Sequence, residues 1–190
     1  MKGILVTIGI LLVAVLGFGG IIISGLNRAV RLDEGANFAW SEVDNQLKRR
    51  NDLIPNLVET VKGYAKHEKE LLTHIADARA RLAGAPAGLN KEKISAASNM
   101  DGLLARLLVV VENYPNLKAN ENFSRMMDEL AGTENRIAVA RQRYNDAARI
   151  FNTFSREVLG SMFAKAKGLG EPKPYYEVAE AEKAVPQVKF

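Results

Sequence analysis

Between Lys2 and Arg28 the chain carries no charge: residues 3–27 read GILVTIGILLVAVLGFGGIIISGLN. As a helix this run extends about 37 Å, enough to cross a hydrocarbon layer about 30 Å thick with some tilt. A cleaved leader would also begin with a basic end and an apolar stretch. This stretch, however, outruns the roughly 7–15 residues of a leader core, and its one candidate end, residues 17–20, is followed by more isoleucines instead of a polar start. A retained single-pass anchor over residues 3–27 is therefore expected. Gly20 and Ser24 set two small residues one turn apart, a spacing that lets helices approach closely but is common in glycine-rich spans. Lys2 and the amino terminus face Arg28 and Arg31 across the span, so loop charge does not set its orientation.

Beyond the anchor lies about one domain's worth of chain. Hydrophobic residues at 47% and charged residues at 25% argue against wholesale disorder. The net charge of +4 is spread along the sequence and does not point to nucleic acid as a partner. The chain has no cysteine, which excludes disulfides, thiolate metal sites, a cysteine nucleophile and a lipid-modified N-terminal cysteine.

From Trp40 onward, apolar residues recur at alternating spacings of three and four: Trp40, Val43, Leu47, Ile54, Leu57, Val61, Tyr64, Leu71, Ile75, Ala78 and Leu82. Arg50 and Glu68 fill the two remaining places of this seam, which has the period of coiled-coil packing. The spacing predicts one helix to about Ala83, bent at Pro55, where the ring lacks an N–H and presses on the preceding turn. Gly84, Pro86 and Gly88 then make a loop. A shorter helix is predicted over residues 91–113, stopped because Pro115 pushes Tyr114 out of the helical region. Asn120 is placed to cap a third helix, with Glu121 favourable at its positive end. Its seam reads Phe123, Met126, Leu130, Thr133, Ile137, Ala140, Tyr144, Ala147, Phe151, Phe154 and Val158, and the helix is predicted to reach about Lys167. The fold class expected is all-α: a transmembrane helix (3–27), an elongated antiparallel bundle with two long coiled-coil-like helices (28–168), and a tail (169–190).

Residues that carry chemistry are sparse. His67 and His74 share a helix face but sit two turns, or about 10 Å, apart, too far to hold one zinc ion. HEKELLTH lacks the zinc-protease spacing, and no glycine-rich phosphate loop is present. The pairs Asp128 with Glu129 and Glu68 with Glu70 stand among lysines and arginines, the pattern of solvated ion pairs rather than of acid-base catalysis. No catalytic, cofactor-binding or metal-binding residue is assigned, and no enzymatic activity is expected. More informative are the polar residues on or beside the seams: Arg50, Glu68, Thr133, Glu134, Asn135 and Arg136. Buried polar groups in such seams fix register or partner choice. With a turn near Ala83 and Asn120, Glu68 falls level with Asn135 and Arg136, so a Glu68 to Arg136 contact is expected.

The strings AWSEVDNQLKRRNDLIPNLVETVKGYAKHE (39–68), ENYPNLKANENF (112–123) and TENRIAVARQRYNDAARIFNT (133–153) resemble the LemA family, and the ending PYYEVAEAEKAVPQVKF resembles its aromatic tail. The resemblance implies a bacterial protein with a short N-terminal tail, one membrane helix and a helical-bundle domain. The family's recurrent positions fall between Asp44 and Glu59, at Tyr114, Pro115 and Asn120, and between Thr133 and Asn145, none with a catalytic role to carry over. Residues 155–167 depart from the family pattern, which has an aromatic residue and a proline near the start of this stretch. The expected function is a non-enzymatic scaffold in the cell envelope, anchored in the cytoplasmic (inner) membrane and self-assembling through its long helices. The alternative is an adaptor or sensor for another envelope protein, such as a protease or transporter. The expected partners are the lipid bilayer, further copies of the chain and other envelope proteins, with no cofactor and no nucleic acid. Family members that begin with a lipid-attachment cysteine favour the periplasmic side for the domain.

Overall fold

The computed structural model describes residues 2–65, 67–86, 88 and 90–176. Their regular structure is all helical: α1 (Lys2–Tyr64), α2 (Lys69–Gly84), α3 (Lys91–Val111), α4 (Pro115–Lys118), α5 (Glu121–Arg156) and α6 (Val158–Ala166). The chain forms two compact units. One takes in the residues up to Phe38 together with Asp146–Lys173, the other Ala39–Asn145 together with the residues from Pro174. The helical turn considered near Glu177 lies outside the described residues.

In the first unit, α1 opens with the uncharged run, where large side chains such as Ile4, Leu5, Ile8, Leu12, Leu16 and Phe18 stand exposed. Such a surface suits acyl chains better than water. One face is covered further on: Ile22, Gly25 and Leu26 are half-buried, and Ala29, Asp33 and Ala36 are buried, the spacing of a single helix face. Ala148, Phe151 and Phe154 of α5 and Ala164 of α6 supply the buried apolar side chains opposite. Beside them Asp33 binds the Lys173 ammonium at 2.6 Å, and Lys173 also donates to Asn37 at 3.0 Å. The buried Asn152 amide donates to the Lys173 carbonyl at 2.9 Å and accepts from the Lys173 N–H at 2.7 Å, which satisfies backbone that would otherwise be orphaned.

The third long helix expected to reach Lys167 is interrupted. Glu157 is extended, with ψ of 150°, and α6 starts afresh behind it. The seam cannot report this break, because Val158 occupies a proper seam place yet is exposed. Gly160 supplies the local reason: a Cβ there would run into the Phe154 carbonyl, so the bend needs a bare backbone at this position. Gly168, with φ of 72°, then ends α6 in the left-handed conformation, and Leu169 returns its N–H to the Ala164 carbonyl at 2.8 Å.

In the second unit, α1 passes through Pro55 without ending, but it stops at Tyr64 instead of reaching Ala83. The reason lies in the register. Arg50 with Glu134, Trp40 with Tyr144, and Tyr64 with Asn120 keep one antiparallel alignment of α1 and α5. Asn120 immediately precedes α5, so beyond Tyr64 the first helix has no α5 left to lie against. A new helix, α2, starts at Lys69 and packs with α3 instead. Both helices feed a core that includes Ile54, Leu57, Val61, Leu72, Ile75, Met100, Leu104, Leu107, Leu117 and Phe123. The caps form as the sequence predicts: Asn120 Oδ1 accepts from the Phe123 N–H at 3.0 Å, and Tyr114 leaves helical space ahead of Pro115.

Candidate functional site

The densest polar feature of the second unit is built around Arg50, which α1 presents at a seam position and which is 0% exposed. A buried guanidinium needs both a countercharge and acceptors. Arg50 Nη1 donates to Asp101 of α3 and, at 2.8 Å, to Glu134 of α5, and Nη2 reaches the Ala97 carbonyl at 3.4 Å. The second oxygen of Asp101 accepts from Arg141 Nη2 at 2.7 Å. Two cations and two carboxylates thus close a neutral quartet that ties three helices together. Burial disfavours the charge on Arg50, but Asp101 and Glu134 outweigh it and hold its pKa above the ordinary arginine value.

Aromatic side chains cover the quartet. The Arg141 guanidinium lies 4.2 Å from the centre of the Tyr176 ring, a cation–π distance. Trp40 meets Tyr144 edge-on at 5.3 Å and Tyr176 at 6.4 Å. The Tyr144 hydroxyl donates to the Pro174 carbonyl. Asn145 fastens Tyr176 by both sides of its amide, donating to the Tyr176 carbonyl at 2.9 Å and accepting from its N–H at 2.8 Å. Burial pushes the Tyr144 phenol up, and burial pushes that of Tyr176 up to about 12.

The polar seam residues have different fates. Arg50 and Glu134 meet directly. Thr133 is buried beside them, donating to the Glu129 carbonyl at 2.8 Å and accepting from Arg136 Nη2 at 3.0 Å. Glu129 in turn pairs with Arg49, whose hydrogen bond and charge hold the carboxyl below its ordinary value. Asn135 and Arg136 are exposed and line a groove with Glu42, Gln46 and Arg143. Glu68 is elsewhere: it accepts from the Tyr114 hydroxyl at 3.1 Å, and the contact expected with Arg136 is replaced by this one. That expectation assumed α1 continued to Ala83, and the early end at Tyr64 shifts the whole register. His67 and His74 are exposed.

Asp101, Arg141 and Tyr176 complete the site and were not among the seam residues. Asp101 had a readable signal, since it follows Ala97 by one turn on the stripe that continues through Leu104 and Leu107. Chemically the quartet is a lock. Each carboxylate is engaged by an arginine, which leaves neither positioned as a base. Among the described residues no three histidine or acidic side chains gather as a metal site.

The sequence model of the LemA family matches residues 39–190. The chain belongs to the LemA family. Among its relatives, the magnetosome protein MamQ 2 of Paramagnetospirillum magneticum is 28% identical over 163 residues, covering 73% of this chain and 60% of that protein. The magnetosome protein MamQ of Magnetospirillum gryphiswaldense is 26% identical over 150 residues, covering 66% and 55%. Protein LemA of Metamycoplasma hominis is 25% identical over 127 residues, covering 67% and 58%. This LemA-family chain therefore spans about 60% of the length of the curated relatives it matches. With the uncharged, exposed start of α1, it is a membrane-associated protein, and its family kinship is to proteins that are not known enzymes.

Proposed function

We propose that this chain is a non-enzymatic scaffold of the bacterial cell envelope, tethered in the cytoplasmic (inner) membrane by α1 and assembling with copies of itself through its helical domain, which stands on the periplasmic side. The observation that carries the reading is where apolar surface remains. The long seams of α1 and α5 are satisfied inside the second unit, as buried Val43, Leu47, Ile137 and Tyr144 illustrate for the two helices. Leu108 and Val109 on α3, by contrast, stand 47% and 71% exposed. Tethering confines copies to one surface and raises their effective concentration, so a modest apolar patch suffices for association. Relatives named for the magnetosome support a role in a cellular assembly. Crosslinking in native membranes should give species larger than the monomer, and Leu108→Asp with Val109→Asp should reduce them. Recovery of monomers alone would overturn the scaffold.

One observation favours a second reading, that of an adaptor for another envelope protein. A groove of 460 Å³ in the second unit is lined by Val58, Ala65, Leu72 and Ala76 and flanked by Lys62 and Lys69. Its apolar floor and basic sides suit an amphipathic acidic segment. Pull-downs that recover this protein alone would leave the scaffold as the better account.

A further inference from the structure

The nine residues of α6, VLGSMFAKA, are set against the membrane span itself. Within the first unit, Leu159, Gly160 and Phe163 line a groove whose other wall is Gly17, Gly20, Ile21 and Gly25 of α1. These α1 residues all belong to the uncharged run. The approach is close enough that a Cβ on Gly25 would overlap the Phe163 ring. Away from this groove α6 is bare: Val158 and Met162 are 83% and 63% exposed, and Leu159, at the groove's edge, is 58% exposed. A short helix that shows water three large apolar side chains is unfavourable, but the same helix beside the last turns of a spanning segment lies at a depth where acyl chains surround it.

We propose that α6 is a membrane-inserted hook. It enters the leaflet on the domain's side, packs Phe163 onto Gly25, and presents Val158, Leu159 and Met162 to lipid acyl chains. The occupant of its open face follows from continuity, because the surface of α1 that α6 touches continues into the exposed apolar surface of the span. The flanking chemistry agrees. Lys165 and Lys167 are exposed at the end of the hook, with aliphatic stems long enough to bring their ammonium groups to the headgroups. Arg28 and Glu157 line the same groove, and Arg28 stacks over Phe154 at 5.2 Å, an arrangement suited to the polar edge of a bilayer. Gly168 then turns the chain, and Lys173 closes on Asp33. An elbow at Glu157 in place of a straight α5 is what allows the segment to enter the leaflet.

The inference rests on α1 spanning the membrane, and the test separates the two. The chain has no cysteine, so single cysteines can be placed in the full-length protein without background. Leu159→Cys and Met162→Cys, each carrying a fluorophore sensitive to its surroundings, would be compared with Leu12→Cys in the span and Val139→Cys in the second unit. All four side chains are exposed, so none of the substitutions empties a core. The protein is reconstituted into vesicles of phosphatidylethanolamine and phosphatidylglycerol, with and without lipids that carry a spin-label quencher on the acyl chain. The hook predicts that emission from positions 159 and 162 is lost to a quencher near the headgroup end of the chain, as position 12 loses emission to one near the bilayer centre, while position 139 is unaffected. If positions 159 and 162 behave like 139 while 12 is quenched, the hook is overturned and the anchor stands. If position 12 is not quenched either, both fail. Crosslinking between two copies through position 162, without lipid quenching, would assign the face to a second copy and overturn the lipid reading.

Discussion

Arg50 shows how much depends on completing a charge set in a dry place. Asp101 and Glu134 compensate its lost hydration; without Arg50, Asp101 would keep Arg141 and Glu134 is 38% exposed, so the cost of losing Arg50 is that of its hydrogen bonds rather than of a stranded charge. Arg50→Met should lower the stability of the detergent-solubilised protein by about 1–3 kcal/mol, seen as a drop in melting temperature. A second expectation concerns alkaline pH. The Tyr176 phenol is raised to about 12 in the folded protein, against an ordinary value of 10.0, so above pH 10 the unfolded chain releases a proton that the folded one retains. Stability from this residue should therefore be intact below pH 10 and fall as pH rises from about 10 to about 12, and Tyr176→Phe should flatten that decline in thermal melts taken across the range. Arg50 and Glu134 were legible in the sequence, Arg50 because a charge interrupted a regular seam and Glu134 because it stood beside one. Arg141 falls between seam places and was marked only by the family resemblance, and Tyr176 acts through a fold-back of the tail that no periodicity records. Glu68 was legible as an interruption, but its partner was not.

At the scale of the elements, periodicity identified the helical segments and their apolar faces but overlooked two breaks. Val61 on one side and Ile75, Ala78 and Leu82 on the other keep the seam spacing across the end of α1 because each helix buries its own face, while Tyr64 between them is 43% exposed. At Glu157 the sequence pattern runs on to Val158 although that side chain is exposed, and only the close approach at Gly160 marks the bend. Turn and cap chemistry was more exact: Asn120, Pro115 and the loop after Ala83 all lie where their side chains require them. The stretch after α6 depends on Asn152, whose amide supplies both a donor and an acceptor to Lys173. Asn152→Ala would leave that backbone unpaired, a loss of about 1–3 kcal/mol locally. Hydrogen exchange at the Lys173 amide should quicken roughly tenfold or more, with little change at amides in the middle of α3.

For the molecule as a whole, the uncharged run of α1 fixes attachment to the membrane but not direction, because its two ends carry balanced charge. The periplasmic assignment is open to direct measurement. Val139 is exposed on α5, so a Val139→Cys protein in intact cells should react with a maleimide that cannot cross the inner membrane, once the outer membrane has been made permeable. Reaction only after lysis of the inner membrane would place the domain in the cytoplasm. The quartet around the buried Arg50 also has a consequence for ancestry. Arg50, Asp101, Glu134 and Arg141 lie on three helices yet form one neutral set in which Arg50 alone is fully buried, so a lineage that keeps this arginine must keep an acid within its reach. Across descendants of this chain an arginine at position 50 should persist only where position 101 or 134 holds an acid, one inherited character written in separate places along the sequence.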